Sequence, residues 1–185
     1  PIDVGVIRAT YADTHGNCSF QREGVYAEAL AQAQAARNSG GTVIVQVGKI
    51  VEHGSLDTRL VRIPGIYVDV LVVARPENHM QTFGTQYDPA FSGEVRVPLD
   101  PLAPLPMGER KIVARRAAME LVPHAVTNLG IGMPEGVPAV AAEEGLEGMV
   151  LTTEVGGIGG VPAGGKDFGA ATNVDCILDQ PAQFD

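Results

Sequence analysis

Tryptophan is absent, aromatic side chains are only 5% of the residues, and cysteines number two in 185. With so few large rings, small residues must close the interior at short range, as between helices and a sheet. Cys18 and Cys176 lie far apart and outside any C-x-x-C or Cys/His spacing. That argues against a disulfide framework or a zinc site, and a reducing cytoplasm is expected. Basic residues are scarce as well: 13 Lys and Arg stand against 22 Asp and Glu, a net charge of −9. Such a chain has no basic patch to release phosphate counterions, which argues against nucleic acid or anionic membrane as a partner. No apolar run approaches the roughly 20 residues that span a bilayer, and no signal-peptide pattern is visible. His15, His53, His79 and His124 are scattered without metal-ligand spacing, so no metal site is expected.

What is present is a globular balance, 45% hydrophobic and 19% charged. Val4–Thr10 is β-rich, and Asp13–Asn17 carries turn chemistry. Residues 23–37 are mostly helix formers, closed by Asn38, Ser39, Gly40 and Gly41. Thr42–Val47 and Ile66–Val73 are apolar runs of the kind a sheet covered on both faces requires. Strand–helix–strand order predicts a parallel or mixed α/β sheet. Pro98, Pro101, Pro104 and Pro106 then mark a linker over residues 98–107. Beyond it the pattern predicts a helix over 109–121, a strand over 125–129, a turn over 130–136, a helix over 137–144 and a strand over 149–153. The expected fold class is therefore α/β, as two partial open-sheet units: residues 1–97 and 108–185, joined by the proline-rich segment. The chain starts at Pro1 beside a strand-like run and stops at Asp185, and it reads as a piece of a longer polypeptide.

Chemistry concentrates around one carboxylate. Glu154 ends the last strand and is followed by Gly156, Gly157, Gly159 and Gly160, within a stretch expected to form a loop that brings bare backbone close to a ligand. Upstream, Gly130, Gly132 and Gly136 lie between strand and helix, where backbone N–H groups can face an anion. A tight turn without a ligand fits that spacing equally well. Glu154 could be a solvated strand end. It could hold the ribose of a dinucleotide, although G-x-G-x-x-x-G is not the dinucleotide spacing. Or it could be a nucleophile, which would need water excluded and donors for a developing oxyanion.

Taken together, Val126–Gly136 and Thr153–Pro162 resemble the family I CoA-transferases, in particular fused propionate or acetate CoA-transferases related to succinyl-CoA:3-ketoacid CoA-transferase. The resemblance extends through Asp13–Asn17, Asn38–Gln46, Ile63–Ile66, Arg115–Leu121 and Phe168–Asn173, and so covers essentially the whole chain. It implies an acyl-CoA:carboxylate CoA-transferase acting on short-chain acids, with Glu154 forming a glutamyl-CoA thioester in a ping-pong exchange. Coenzyme A and acyl-CoA would be substrates, with no resident metal or redox cofactor, in a cytoplasmic homo-oligomer. Gly130, Gly132, Gly156, Gly157, Gly159 and Gly160 would line the CoA site. A CoA-ester hydrolase would differ only in whether water reaches the thioester. In the family the active site lies between two similar halves. Residues 1–97 resemble the end of the first half, and 108–185 the start of the second. The family's opening glycine-rich segment has no counterpart in these residues, so alone they are expected to be inactive; a non-catalytic truncated fragment is the corresponding alternative. Met133, Val155 and Ile158 are candidate pocket neighbours, Lys166 and Asp167 candidate contacts to a CoA phosphate, and Lys111, Arg115 and Arg116 a solvated basic helix face.

Overall fold

A computed structural model of the chain describes residues 1–98, 103–130 and 132–184. Apolar alternation builds the first sheet. Strands β1 (Val4–Asp13) and β3 (Thr42–Val51) lie parallel, with Val6 opposite Ile44 and Ala9 opposite Val47. Parallel neighbours need a crossover, and α1 (Ala29–Asn38) lies between them in sequence. With β2 (Cys18–Ser19), β4 (Val61–Ile63) and β5 (Val70–Val73) the order is β4-β2-β1-β3-β5. β5 runs parallel to β3, whereas β2 is antiparallel to both β1 and β4.

One face of this sheet is closed by small residues. Ala29, Ala33 and Ala36 of α1 belong to the same buried cluster as Val43, Val45 and Val47 of β3. Each fully buried valine contributes about 1.5–3 kcal/mol relative to an exposed one. On the other face Val4, Val6, Val70 and Val72 are exposed. The continuous apolar runs implied cover on both sides; among the described residues only one side has it.

Two boundaries differ from the expectation. The helix predicted from residue 23 starts at Ala29, because Glu23 is buried against Arg8 and Thr10 and Ala27 takes a positive φ of 47° that ends any helix running through it. The strand predicted over 66–73 is only β5, preceded by a single 3₁₀ turn at Gly65–Tyr67. Asn17 Oδ1 accepts the Gly65 N–H at 2.9 Å and Asp69 Oδ2 accepts the Val43 N–H at 2.8 Å, bending the chain there.

The second sheet follows α2 (Glu109–Ala118). β6 (Val126–Leu129) is parallel to β7 (Val150–Thr153), with α3 (Val137–Glu143) between them in sequence. β8 (Gly157–Ile158) turns back antiparallel on β7, and β11 (Cys176–Ile177) completes the order β11-β8-β7-β6. β9 (Val161–Pro162) and β10 (Ala171–Thr172) form a separate antiparallel pair, and α4 (Gln180–Phe184) comes last. The glycine-rich stretch is thus not all loop: two short strands are built into it.

Ala114, Ala118, Val137 and Val140 form the core beneath α2 and α3. Lys111 departs from the solvated face expected of it, being 7% exposed and donating to Glu143 Oε1 at 2.6 Å. The fold class is mixed α/β with several sheets. Of the expected linker, residues 99–102 lie outside the described residues, as does Ile131 of the first glycine turn.

Candidate active site

Glu154 leaves the carboxyl end of β7, the edge at which open α/β sheets bind ligands. Its strand end is held firmly. Thr153 is 5% exposed; its carbonyl accepts Gln183 Nε2 at 2.8 Å, and its Oγ1 accepts the Gly157 N–H at 3.1 Å. The Glu154 side chain is half-buried and faces Gly130 at the end of the parallel neighbour β6. A Cβ built on Gly130 would lie 3.7 Å from Glu154 Oε2. Register explains the meeting: Leu129 pairs with Thr153, so the residues that follow the two strands emerge side by side. Around them is a cleft of about 50 Å³ walled by Leu129, Pro138, Pro162, Ala163 and Phe168. That is room for about one water, with a mostly apolar lining.

A second carboxylate lines the same cleft. Glu135 accepts the Gly132 N–H at 3.1 Å, pairs with Arg110 Nη2 at 3.0 Å and also meets the Gly165 backbone N–H. The Gly132 bond, helped by Arg110 and Gly165, holds its carboxyl below the ordinary glutamate range against the opposing effect of burial. Glu135 thereby ties the turn at Gly132 to the turn at Gly165. Sequence reasoning passed over it, as it did Arg110, Thr153 and Phe168. The available signal was an acidic residue inside the Gly130–Gly136 turn.

The predicted glycines divide. Gly130 sits against Glu154, and Gly132 against Glu135. Gly156, Gly157 and Gly159 donate instead to Thr153 O, Thr153 Oγ1 and Leu151 O, at 3.3, 3.1 and 2.8 Å. Gly156 (φ 113°) and Gly160 (φ 73°) let the chain pass the carbonyls of Leu178 and Thr172, where any Cβ would collide. None of these four is among the residues that line the cleft. Of the candidate pocket neighbours, Val155 opens onto an adjoining recess, Met133 lines a separate one with Val113 and Val137, and Ile158 pairs with Cys176 in the sheet. Asp167 is bonded to Thr82 Oγ1 at 2.5 Å, and Lys166 is exposed.

Among the described residues no three His, Cys, Asp or Glu side chains cluster as metal ligands, and no helix is long and apolar enough to cross a membrane. His53 and His15 stack with ring centroids 3.7 Å apart, and His53 Nδ1 meets Asp13 Oδ2 at 2.9 Å.

Residues 1–74 match the coenzyme A transferase family. The whole chain is 46% identical to a caffeate CoA-transferase of Acetobacterium woodii, covering 36% of that protein. Over 99% of its length it is 41% identical to the acetate CoA-transferase YdiF of Escherichia coli O157:H7, covering 34% of it. A crystal structure of that acyl-CoA transferase, described as a thioester complex with CoA, superposes with a TM-score of 0.82 at 40% identity, over 98% of this chain and 33% of that one. The chain thus spans about a third of the length of these relatives. The dinucleotide-binding reading is not favoured: these relatives are CoA-transferases, and β7 runs into an antiparallel return rather than a further βαβ unit. The first 74 residues thus match the coenzyme A transferase family, and the remainder of the chain is similar to the same relatives.

Proposed function

We propose that this chain carries the nucleophile, Glu154, of an acyl-CoA:carboxylate CoA-transferase that exchanges CoA between short-chain acids by a ping-pong route. One observation carries the reading: the Glu154 carboxylate stands beside bare backbone at Gly130 in a narrow, largely apolar cleft at the sheet edge. A carboxylate is a weak nucleophile in water and gains reactivity where water is displaced and the electrophile is held against it. A Glu154 oxygen attacks the thioester carbonyl; the C–S bond breaks, leaving a mixed anhydride and CoA thiolate. The thiolate then attacks the glutamyl carbonyl, the bond to the bridging oxygen breaks, and the first acid leaves as its carboxylate. An incoming carboxylate reverses both steps and departs as the new CoA ester. The thioester complex with CoA described for the Escherichia coli relative supports such an intermediate.

Gly130 leaves the approach to Glu154 open, and Glu135, paired with Arg110, forms part of the cleft wall. Residues 1–97 then close one half of the transferase and 108–185 open the other, with the prolines between as linker, in a homo-oligomeric enzyme. The test is to incubate the full-length protein with acyl-CoA, without acceptor, and reduce it with borohydride. The peptide containing Glu154 should carry the reduced side chain by mass spectrometry, and Glu154→Ala should lose transfer by at least about 10⁴-fold. Transfer activity that survives Glu154→Ala overturns the assignment.

A further inference from the structure

The Glu154 cleft is small, at about 50 Å³, and it does not end blindly. Phe168 and Gly169 line it and also line a recess of about 360 Å³, which Val155 enters directly after Glu154. Recesses of some 300 Å³ and more are the size that holds small organic ligands. Val25, Met80, Phe83, Val155, Phe168 and Ala170 give this one an apolar lining. Its two amide and hydroxyl side chains are already engaged. Gln81 donates to Arg22 O and accepts the Asp88 N–H, and Thr82 Oγ1 bonds Asp167 at 2.5 Å. Little in the lining is left to recognise a polar substituent.

The wall is also held in place. A Cβ on Gly84 would come 2.8 Å from Asp167 Oδ1, so the 82–85 turn is pressed on the 166–167 turn as well as bonded to it. That latch sets Phe83 and Phe168 nearly parallel, 15° between planes and 6.3 Å between centroids. Phe83 is nonetheless 81% exposed. A ring held nearly parallel to a second ring beside an apolar recess offers contact to a flat apolar partner. A methyl group would leave most of the recess wet.

We infer that this recess receives the acyl substituent and that Phe83 and Phe168 select acids whose substituent is planar and apolar, an aryl or conjugated acid, over acetate. The inference rests on the transferase reading and replaces its short-chain acids with aryl or conjugated ones as the preferred acceptors. Its test uses the full-length protein, with 3-phenylpropenoate and acetate as competing acceptors. Phe83→Ala should lower the ratio of kcat/KM for phenylpropenoate to that for acetate by about tenfold or more, and Phe83→Tyr should restore it. The ratio is read within one preparation, so a smaller amount of folded protein does not change it. Titration calorimetry should show phenylpropenoate binding to the unaltered protein and weakened binding to Phe83→Ala. An unchanged ratio, or a rise in KM for acyl-CoA alone, overturns the inference, the second outcome giving the recess to the CoA arm. Phenylpropenoate binding without transfer to any acid would instead overturn the transferase reading and leave the recess assignment standing.

Discussion

A Cβ on Gly130 would come to 3.7 Å from Glu154 Oε2, and among the described residues no other atom outside its chain neighbours would lie within 4 Å. That distance is ordinary contact, so the fold has room for alanine at this position while the carboxylate does not keep its free approach. Gly130→Ala is expected to change stability by less than about 1 kcal/mol and to lower kcat at least about tenfold by occupying the space through which the thioester reaches the attacking oxygen. Urea unfolding and steady-state kinetics on one preparation check both halves. A fully active Gly130→Ala would remove Gly130 from the reacting geometry.

Gly156 and Gly160 predict the opposite pattern. Both have positive φ, and a Cβ on either would run into a backbone carbonyl, that of Leu178 or of Thr172. Backbone cannot yield as a side-chain tip can. Gly156→Ala and Gly160→Ala should each cost at least about 2 kcal/mol of stability, read as a lowered urea midpoint. Normal midpoints with altered CoA affinity would return these glycines to the ligand.

Asp13 gives the fold an acid limit. Burial would raise its carboxyl, but bonds from the Asn17 side chain and backbone, His53 and the His15 N–H bring it down to about 2. The folded value lies below the unfolded one, so the stabilisation is fully present above about pH 4 and disappears as pH falls toward 2. Its size is about 2 kcal/mol. Asp13→Asn should be destabilised by about that amount at pH 7 and should lack this component of the acid-side slope in unfolding measurements from pH 5 to pH 2. A wild-type slope in Asp13→Asn would assign the acid lability to other groups.

Lys111 and Glu143 make an unequal pair, with side-chain exposures of 9% and 32%. Removing Glu143 strands a buried cation, whereas removing the cation leaves only a partly solvated carboxylate. Glu143→Ala is expected to cost about 1–2 kcal/mol and Lys111→Met less than about 1 kcal/mol, with the double variant close to Lys111→Met. Equal costs for the two single variants would contradict this picture.

Periodicity and turn chemistry were enough to read the strands at Val4 and Thr42, the α2-β6-α3-β7 run and the position of Glu154 at a strand end. Each follows from local rules that act within a few residues. Helix α1 was placed six residues too early because the decisive contact, Glu23 with Arg8, joins residues far apart in sequence. The glycine run was legible as a place where side chains do not fit. What occupies the space was not: at Gly156 and Gly160 it is the protein's own backbone, and at Gly130 it is Glu154.

By itself, then, the sequence determined the α/β class, the small-residue packing and a carboxylate set among glycines, because composition and local periodicity are properties of the chain. Only the tertiary structure decided which glycine meets that carboxylate, that Glu135 bridges two glycine turns, and that an aromatic recess adjoins the cleft. Those relations depend on strand register and on contacts between segments far apart in sequence, such as Thr82 with Asp167, which no local pattern encodes.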